Sequence, residues 1–385
     1  MKTVYLDNAA TTRCLPEAAD LFRDLSTGTY GNPASLHHMG VLAEQESKKA
    51  RQIIADSLRV KPENIIFTSG GTESNNTALR GIAHACKRQG KHLITTASEH
   101  PSVLNTMREL EKEGYELTLL TPDETGRVSA DQVLSAVRED TILVSVMAVN
   151  NEIGAVNPVA EIGKRLKQET SKTIFHVDAV QGYGKMLLLP EKYGIDLMSA
   201  SSHKIHGPKG IGFLYIGDGV RVLPLLTGGG QQWNLRSGTE NVPGEAAFGL
   251  AAERAFETLS ENRKWMYQRK KELLSGIQEI PDVRVNGLTG EESAPHILSV
   301  SFSGVRSEVL LHALEEKGIY VSSGSACSAH KTTEVGTLTA LGLSKDEQEG
   351  TIRFSLSRET TEEEIAYTVE VLKEQLAILR RFVRK

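Results

Sequence analysis

The sequence predicts an α/β protein, with a large part built on a mostly parallel seven-stranded sheet and a smaller α+β part. Two observations carry this prediction. Apolar, β-branched runs alternate with helical patterns between about residues 64 and 216, and such alternation is typical of a parallel sheet covered by helices on both faces. From about residue 245 onwards, long helical patterns enclose only two further strand-like runs. This change of pattern indicates a second domain.

The elements of the large part follow these runs in chain order. Strands are predicted at 64–68, 92–96, 117–120, 141–147, 173–177, 196–199 and 212–215. Helices are predicted between several of them, at 73–87, 102–113 and 159–167. Ligands of such sheets bind beyond the carboxyl ends of the strands, so polar residues just past the predicted strands are the first candidates for a site.

The smaller part begins with one long helix, predicted over about 245–276, which we expect to bridge the two domains. Strands at 296–302 and 352–356 and helices at 307–317 and 361–382 follow it. A mixture of a few strands with long helices predicts an α+β domain.

Composition and charge exclude several classes of protein. The chain of 385 residues carries 44 basic and 49 acidic residues, a net charge of −5, whereas a nucleic-acid-binding protein usually has a basic face. No apolar run approaches the roughly 20 residues of a membrane span, and the first residues lack a signal-peptide pattern. We therefore expect a cytoplasmic protein that contacts neither membrane nor nucleic acid directly. Its three cysteines do not form a disulfide framework, and no Cys/His cluster has zinc spacing.

An acidic residue and a lysine follow two successive predicted strands. Asp178 lies in the segment 176–181, just past one strand, and Lys204 lies in the Ser/His/Gly-rich segment 201–210 after the next. Pyridoxal phosphate needs these two groups together, an amine for its Schiff base and an acid that keeps a proton on the pyridine nitrogen. A surface lysine is the alternative for Lys204, but a conformationally special loop after an apolar strand disfavours it.

The segment 68–74, TSGGTES, joins a predicted strand to a predicted helix. Small residues let the backbone approach an anion, and the first N–H groups of the helix point towards it. Gly71 and Thr72 are therefore candidates for binding the phosphate group of the cofactor. A Gly-Gly pair alone is more often only a turn, so the prediction depends on the strand–turn–helix context and on the later lysine.

Two further polar residues follow predicted strands. His100 lies past the strand at 92–96 and could stack on the pyridine ring and act as an acid or base near neutral pH. A loop histidine with a structural partner is the alternative. Asn151 follows the strand at 141–147 and could hold the phenolic oxygen of the cofactor or the substrate carboxylate. The alternative there is a turn, which an Asn-Asn pair often marks.

One cysteine differs from the other two in its neighbours. Cys327 lies in the segment 322–329, SSGSACSA, which is too polar and glycine-containing for a helix interior or a packed strand. Reactive thiols are accessible and near positive charge, and arginines follow at 353 and 358. Arg353 has apolar neighbours on a predicted strand, where a charged side chain is unexpected. Two parallel hydrogen bonds from its guanidinium to an α-carboxylate would explain its presence. A structural ion pair or a solvent-facing arginine is the alternative.

Taken together, these residues resemble the cysteine desulfurases of the NifS/IscS type, which are fold-type I (aspartate aminotransferase-like) pyridoxal phosphate enzymes. The resemblance spans nearly the whole chain, in ordered segments at 5–12, 31–35, 68–76, 99–100, 150–154, 176–181, 201–210, 236–242, 322–328 and 353–358. The cysteine loop resembles the NifS/IscS group and not the SufS-like group. The resemblance implies a large cofactor-binding domain over 15–258, and a small domain formed by 1–14 and 259–385 that carries the cysteine loop at about 322–335.

The resemblance also implies a role for each candidate residue. The implied cofactor-binding residues are Lys204 for the Schiff base, Asp178 for the pyridine nitrogen, His100 for ring stacking and proton transfer, Asn151 and Gln181 for the phenolic oxygen and its surroundings, and Gly71, Thr72, Ser201 and His203 for the phosphate. Thr239 is implied to reach the phosphate of the other subunit, which implies a homodimer with shared sites. Asn151, Arg353 and Asn32 are implied to bind the substrate.

The implied reaction converts L-cysteine to L-alanine and leaves the sulfur as a persulfide on Cys327. Lys204 removes the Cα proton, and the thiolate of Cys327 attacks the substrate sulfur. The sulfur then passes to an acceptor protein, either an iron–sulfur scaffold or a tRNA-thiolation enzyme. No resident metal is expected; a transient iron–sulfur cluster at Cys327 is a hypothesis.

The sequence departs from the family pattern around residue 233, and two alternative functions stay open. Gln232, Trp233 and Asn234 stand where an acidic and a basic residue are expected, which bears on the dimer seam or on partner docking. The first alternative is a selenocysteine lyase, or another lyase or aminotransferase of the same fold. The second is a sulfur carrier without turnover, which the filled catalytic positions disfavour.

Overall fold

The structure is a computed structural model that describes residues 3–170, 172–324 and 336–382. Its strands, in chain order, are β1 (Val4–Tyr5), β2 (Ile65–Thr68), β3 (His92–Thr96), β4 (Glu116–Leu120), β5 (Thr141–Ser145), β6 (Ile174–Asp178), β7 (Leu197–Ser201), β8 (Gly212–Ile216), β9 (Val283–Asn286), β10 (Ile297–Phe302), β11 (Ile319–Tyr320), β12 (Ser322–Ser323) and β13 (Thr351–Ser355). Its α-helices are α1 (Pro16–Thr27), α2 (His38–Leu58), α3 (Gly71–Cys86), α4 (Pro101–Lys112), α5 (Ala130–Ala136), α6 (Val159–Glu169), α7 (Pro190–Tyr193), α8 (Val242–Glu257), α9 (Leu259–Gln278), α10 (Ser307–Glu315), α11 (Thr337–Ala340), α12 (Lys345–Glu349) and α13 (Glu362–Leu379).

Seven strands form the large sheet, in the order β2-β8-β7-β6-β5-β3-β4. Neighbouring strands are parallel, except that β8 runs antiparallel to both β2 and β7. The inner strands β5 and β7 are buried along their whole length, as expected for a parallel sheet with helices on both faces. The predicted α/β fold with a mostly parallel seven-stranded sheet is confirmed.

The parallel strands bring polar residues to one edge of this sheet. Thr96, Ser145, Asp178 and Ser201 are the last residues of β3, β5, β6 and β7. Adjacent parallel strands end at the same edge, and this is the edge at which ligands of open α/β sheets bind. The loops that follow these strands therefore define the region of the candidate site.

A second, antiparallel sheet has the order β12-β13-β10-β9, and β1 pairs in parallel with β11. The hydrophobic core beside it includes Val4, Leu298, Phe354 and Leu372 and is distinct from the cores that pack on the large sheet. The first residues of the chain therefore pack with its last third. Among the described residues, no helix is long and apolar enough to span a membrane.

Two predicted elements differ from the structure. The single helix expected over about 245–276 is two helices, α8 and α9, separated at Thr258, whose φ of −119° and ψ of 22° are not helical. The Thr258 hydroxyl donates to the carbonyl of Arg254 and accepts from Asn262, a local alternative to helical bonding that the apolar pattern does not reveal. Strand β5 ends at Ser145 and not at 147, because the N–H of Met147 donates to the carboxyl of Glu99.

Candidate active site

The carboxylate of Asp178 is buried at the carboxyl end of β6 and is held by two donors. Its Oδ1 accepts a hydrogen bond from the backbone N–H of Val180 (2.9 Å). Its Oδ2 accepts one from Nδ2 of Asn75 on α3 (2.8 Å). The two bonds fix the orientation of the carboxylate at the edge where a ligand of this sheet would lie.

Lys204 follows β7 in a single turn of 3₁₀ helix, Ser202–Lys204. Its Nζ donates to the carbonyl oxygens of Ala9 (2.6 Å) and Ala10 (2.7 Å), in the segment that follows β1. Burial lowers the pKa of Lys204 to about 8, and the nearby charge of Arg353 contributes to the lowering. An amine with such a pKa loses its proton readily and can serve as a nucleophile or a base.

A second buried lysine supports the loop of Lys204. The Nζ of Lys185 donates to the backbone carbonyl of Lys204 (2.9 Å). Burial, followed by the charge of Lys204, lowers the pKa of Lys185 to about 7. The unfolded chain has a lysine pKa of about 10.4, so between pH 7 and pH 10 the unfolded state binds a proton that the folded state does not.

Stability is therefore expected to rise with pH because of Lys185. Its contribution should increase the free energy of unfolding by up to about 1.4 kcal/mol for each pH unit above pH 7. In Lys185→Met this contribution disappears, so the stability of the variant relative to wild type should fall as pH rises from 7 to 9. The measurement is the urea-unfolding free energy of both proteins across this range. The exposed Lys209, replaced by methionine, is the control, and a variant-to-wild-type difference that does not change with pH would contradict the expectation.

The turn before α3 leaves the first N–H groups of that helix without a side-chain cap. Gly70 has a φ of 149° and precedes the first helical residue, Gly71. A Cβ added to Gly71 would lie 2.6 Å from Cγ2 of Val180, and one added to Gly70 would lie 3.7 Å from Oγ of Ser201. Because Gly70 and Gly71 carry no side chains, a phosphate group can approach the uncapped N–H groups of the helix and the buried hydroxyl of Ser201.

An ion pair connects this turn to the segment that carries Thr239. Glu73 accepts a hydrogen bond from the N–H of Ser69 (2.8 Å), and its other oxygen pairs with Nε of Arg236 (2.9 Å). Thr72 itself is exposed at the start of α3. The pair holds the predicted phosphate turn and the segment around Arg236 in a fixed relation.

His100 forms the N-cap of α4, since its Nδ1 accepts a hydrogen bond from the N–H of Ser102 (3.1 Å). Loss of hydration lowers the pKa of His100; Asp178 opposes this shift and Lys204 adds to it. His100 is therefore neutral near pH 7 and lies within electrostatic reach of both groups. Beside it, burial raises the pKa of Glu99 to about 8.

Arg353, on β13, points its guanidinium towards the N-terminal segment and the loop after β5. Its Nη2 donates to Oδ1 of Asp7 (2.9 Å), and its Nη1 donates to the backbone carbonyl of Asn151 (2.9 Å). The Nε atom is buried without a hydrogen-bond acceptor. Burial raises the pKa of the neighbouring Glu152 to about 7, although Arg353 opposes this. The unpaired Nε leaves the guanidinium with one donor that no group of the described chain satisfies.

Gln181 and His203 both contact the N-terminal segment to which the Lys204 amine donates. Gln181 donates through Nε2 to the carbonyl of Ala9 (2.8 Å), and its Oε1 accepts from Nε2 of His296 (3.1 Å). His203 contacts the hydroxyl of Thr11 through Nδ1 (3.1 Å), and burial lowers the pKa of His203 to about 4. Both side chains are therefore anchored to the N-terminal segment near the amine.

The structure does not bring every predicted residue to this place. Asn32 and Thr239 are exposed, and no hydrogen bond recorded among the described residues joins either of them to Lys204 or Asp178; Oδ1 of Asn32 accepts from the N–H of Ala34. Cys327 lies outside the described residues.

Sequence reasoning assigned no role to several residues that complete the site. Asp7, Asn75, Ser102 and Glu99 contact or flank the predicted residues, and so do the carbonyl groups of the N-terminal segment. The signal available in the sequence was only that Asp7, Asn75 and Glu99 lie within segments that carry the family resemblance. Their contacts join positions far apart in the chain.

The residues of this site fit pyridoxal phosphate. A half-buried lysine amine with a lowered pKa suits the Schiff base, and a buried carboxylate at the same sheet edge suits the pyridine nitrogen. An uncapped helix start with two glycines suits the phosphate. All three groups come from the loops that follow β2, β6 and β7, where the fold places ligands.

Comparison with known proteins gives the family. Residues 4–367 match the aminotransferase class-V family. Cysteine desulfurase IscS of Methanosarcina thermophila is 41% identical over 379 residues, which are 98% of this chain and 93% of that protein. A mitochondrial cysteine desulfurase of Candida albicans is 42% identical over 384 residues, 99% of this chain and 78% of that protein.

Solved structures agree with the sequence relatives. A NifS-like protein superposes with a TM-score of 0.92 at 40% identity, covering 98% of this chain and all (100%) of the other. DndA of Streptomyces lividans superposes with a TM-score of 0.77 at 36% identity, covering 92% of this chain and 99% of the other. The chain is therefore a member of the aminotransferase class-V family, and within it belongs with the pyridoxal phosphate-dependent cysteine desulfurases.

Proposed function

We infer that this enzyme converts L-cysteine to L-alanine and receives the sulfur as a persulfide on Cys327. The observation that carries the proposal is the arrangement of three groups around the N-terminal segment and the sheet edge. The Lys204 amine donates to Ala9 and Ala10 of that segment. Arg353 pairs with Asp7 of the same segment, and Asp178 ends β6, the neighbour of the strand that Lys204 follows. An amine, a ring-nitrogen partner and a carboxylate-binding group are what a pyridoxal phosphate enzyme of amino acids requires. The names of the relatives support cysteine as the amino acid.

Each side chain has a proposed task around the cofactor. When bound, pyridoxal phosphate supplies a sink for the electron pair that the departing Cα proton leaves behind. Asp178 holds a proton at the pyridine nitrogen, because its carboxylate is fixed by Val180 and Asn75. Lys204 binds the cofactor and, once released by substrate, takes the Cα proton, for which a pKa of about 8 is suitable. The phosphate is assigned to Gly71, Thr72, Ser201 and His203, and the phenolic oxygen to Gln181.

Arg353 is proposed to bind the α-carboxylate of the substrate, with Asn151 and Asn32 assisting. Its Nε lacks an acceptor, whereas Asp7 engages Nη2. A substrate carboxylate would satisfy Nε and compete with Asp7 for Nη2. Asp7 thus balances the arginine charge when no substrate is present.

Replacing Arg353 by lysine is expected to raise the KM for L-cysteine by roughly 10- to 100-fold, with a smaller effect on kcat. Lysine keeps the charge but loses the planar pair of donors that grips a carboxylate. The measurement is steady-state alanine formation against cysteine concentration. Arg358→Lys is the matched control, because Arg358 follows on the same segment and has no hydrogen bond to Asp7 or Asn151. An unchanged KM in Arg353→Lys would remove Arg353 from substrate binding.

The proposed reaction balances without a further reagent. L-Cysteine and the thiol of Cys327 yield L-alanine and a persulfide on Cys327, as the Cys327 sulfur bonds to the substrate sulfur while the Cβ–S bond breaks. The test is to incubate purified enzyme with L-cysteine and a thiol acceptor and to quantify alanine, pyruvate and sulfide. Equal amounts of alanine and sulfide support the proposal. Pyruvate in place of alanine would indicate a β-eliminating lyase, and 3-mercaptopyruvate would indicate an aminotransferase. Activity on L-selenocysteine alone would indicate a selenocysteine lyase.

We also propose an oligomeric state, domain boundaries, a sulfur acceptor and a location. We propose a homodimer in which Thr239 serves the partner's phosphate site, because Thr239 is exposed and has no hydrogen bond to a site residue within the described part of its own chain. Sedimentation of the pure protein tests the dimer. The domain boundaries at 15–258, with 1–14 joined to 259–385, are supported by the separate core that contains Val4 and Leu6.

An iron–sulfur scaffold or a tRNA-thiolation enzyme is proposed as the sulfur acceptor. A cytoplasmic location is also proposed, which cell fractionation tests.

A further inference from the structure

Two uncharged side chains connect the predicted catalytic histidine to the predicted pyridine partner. Nδ2 of Asn75 lies 2.8 Å from Oδ2 of Asp178 and 2.9 Å from Oγ of Ser102. Oγ of Ser102 lies 2.7 Å from Nδ1 of His100. The connection therefore runs from Asp178 through Asn75 and Ser102 to His100, and it joins β6, α3 and the start of α4.

The direction of every hydrogen bond in this connection can be assigned. The backbone N–H of Ser102 can only donate, and it donates to Nδ1 of His100 as the N-cap bond of α4 (3.1 Å). Nδ1 must therefore carry a lone pair, so the Ser102 hydroxyl donates to it as well. The oxygen of Ser102 is then free to accept from Asn75, whose second amide hydrogen goes to Asp178.

We propose that Asn75 and Ser102 are positioning residues that hold neutral His100 as the tautomer with its proton on Nε2. This inference deepens the proposed function, on which its catalytic meaning rests. Nε2 of His100 has no hydrogen-bond partner among the described residues, so its proton is available to a ligand. In the opposite tautomer, the proton on Nδ1 would face the backbone N–H of Ser102, which can only donate, and the helix would lose its cap.

The tautomer decides what His100 can do for the sulfur chemistry. An Nε2–H presents a hydrogen to the substrate sulfur and has no lone pair there to accept one. His100 therefore acts as a hydrogen-bond donor that orients the substrate thiol, and the Cα proton is left to Lys204. Asn75 donates hydrogen bonds to both Ser102 and Asp178. The same amide therefore positions His100, through Ser102, and Asp178.

The charged neighbours of His100 do not reverse this assignment. Asp178 on β6 favours the protonated ring, and Lys204 after β7 opposes it. Glu99 precedes His100, but its Oε1 accepts hydrogen bonds from the N–H of Met147 (2.7 Å) and from Thr96 (3.1 Å). From α3, the neutral amide of Asn75 reaches His100 through Ser102.

The test measures the tautomer and the pKa of His100 in the cofactor-loaded enzyme. The method is long-range ¹H–¹⁵N correlation on protein labelled at histidine. The signals of His100 are assigned by their loss in His100→Gln. Wild type should show a protonated Nε2 and an unprotonated Nδ1. Ser102→Ala should raise the pKa of His100 by about 0.7, the equivalent of one lost neutral hydrogen bond to the uncharged ring. Ser102→Thr, which keeps the hydroxyl, should restore the wild-type value. Asn76→Ala, beside Asn75 on α3, should leave it unchanged.

The outcomes separate this inference from the proposed function. A protonated Nδ1 in wild type, or a Ser102→Ala variant with an unchanged His100 pKa, overturns the inference even if cysteine is converted to alanine. The Nε2–H tautomer with the expected shift supports it even if the enzyme acts on another amino acid. The spectrum of wild type alone decides the tautomer if Ser102→Ala does not fold.

Discussion

Replacing Lys204 by alanine is expected to reduce alanine formation from L-cysteine by roughly 10⁴-fold or more, because one side chain supplies both the covalent anchor and the base. The structure supports both tasks. Its Nζ is held between the carbonyl groups of Ala9 and Ala10, and burial brings its pKa to about 8. No other described amine takes this place, since Lys185 reaches only the backbone carbonyl of Lys204.

The measurement pairs activity with the absorbance of the bound cofactor. Lys204→Ala should lose the Schiff-base band near ~400–420 nm, a property of the cofactor and its lysine, and should regain little activity when free amines are added. Lys209→Ala, an exposed neighbour in the same loop, should keep both the band and the activity. Retention of the band in Lys204→Ala would assign the Schiff base to another lysine.

Replacing Cys327 by alanine is expected to reduce sulfide and alanine release from L-cysteine by roughly 10³-fold, the scale of losing a catalytic nucleophile. The cofactor band should persist, because the residues that fit the cofactor lie elsewhere, at Lys204, Asp178 and the turn before α3. The measurement is sulfide and alanine release by a variant whose absorbance spectrum is that of wild type. This combination distinguishes a missing nucleophile from a missing cofactor.

The other two cysteines serve as matched controls for this prediction. Cys14 and Cys86 are half-buried free thiols, and burial raises the pKa of each. At neutral pH they remain thiols, which are weak nucleophiles compared with thiolates. Cys14→Ala and Cys86→Ala should therefore keep nearly full activity. Activity retained in Cys327→Ala would instead favour a selenocysteine lyase or another lyase of this fold.

Local patterns predicted the parts of the site that lie at the ends of elements. Asp178 and Lys204 follow apolar runs that must be strands, and parallel strands deliver their ends to one edge of the sheet. The glycine turn before α3 could be predicted in the same way, because a strand–turn–helix unit creates an uncapped helix start. The family resemblance added the roles that these positions have in relatives.

Long-range contacts could not be predicted by such patterns. Asn75 and Asp178 are 103 positions apart, and Lys204 and Ala9 are 195 apart. No periodicity records which loop will face which, because that depends on how helices pack across the sheet. The break at Thr258 between α8 and α9 was missed for a related reason, since the apolar pattern continues on both sides of it.

The amino-acid sequence by itself determined the class of fold, the seven strands of the large sheet and the residues that carry charge at the strand ends. These follow from hydrophobic periodicity and from the chemistry of single side chains, both of which are local. Tertiary structure alone decided that Asp7 balances Arg353, that Ala9 and Ala10 hold the Lys204 amine, and that the cap of α4 selects the tautomer of His100. Each of these depends on the direction and distance between groups from separate elements, and only the packed chain defines those.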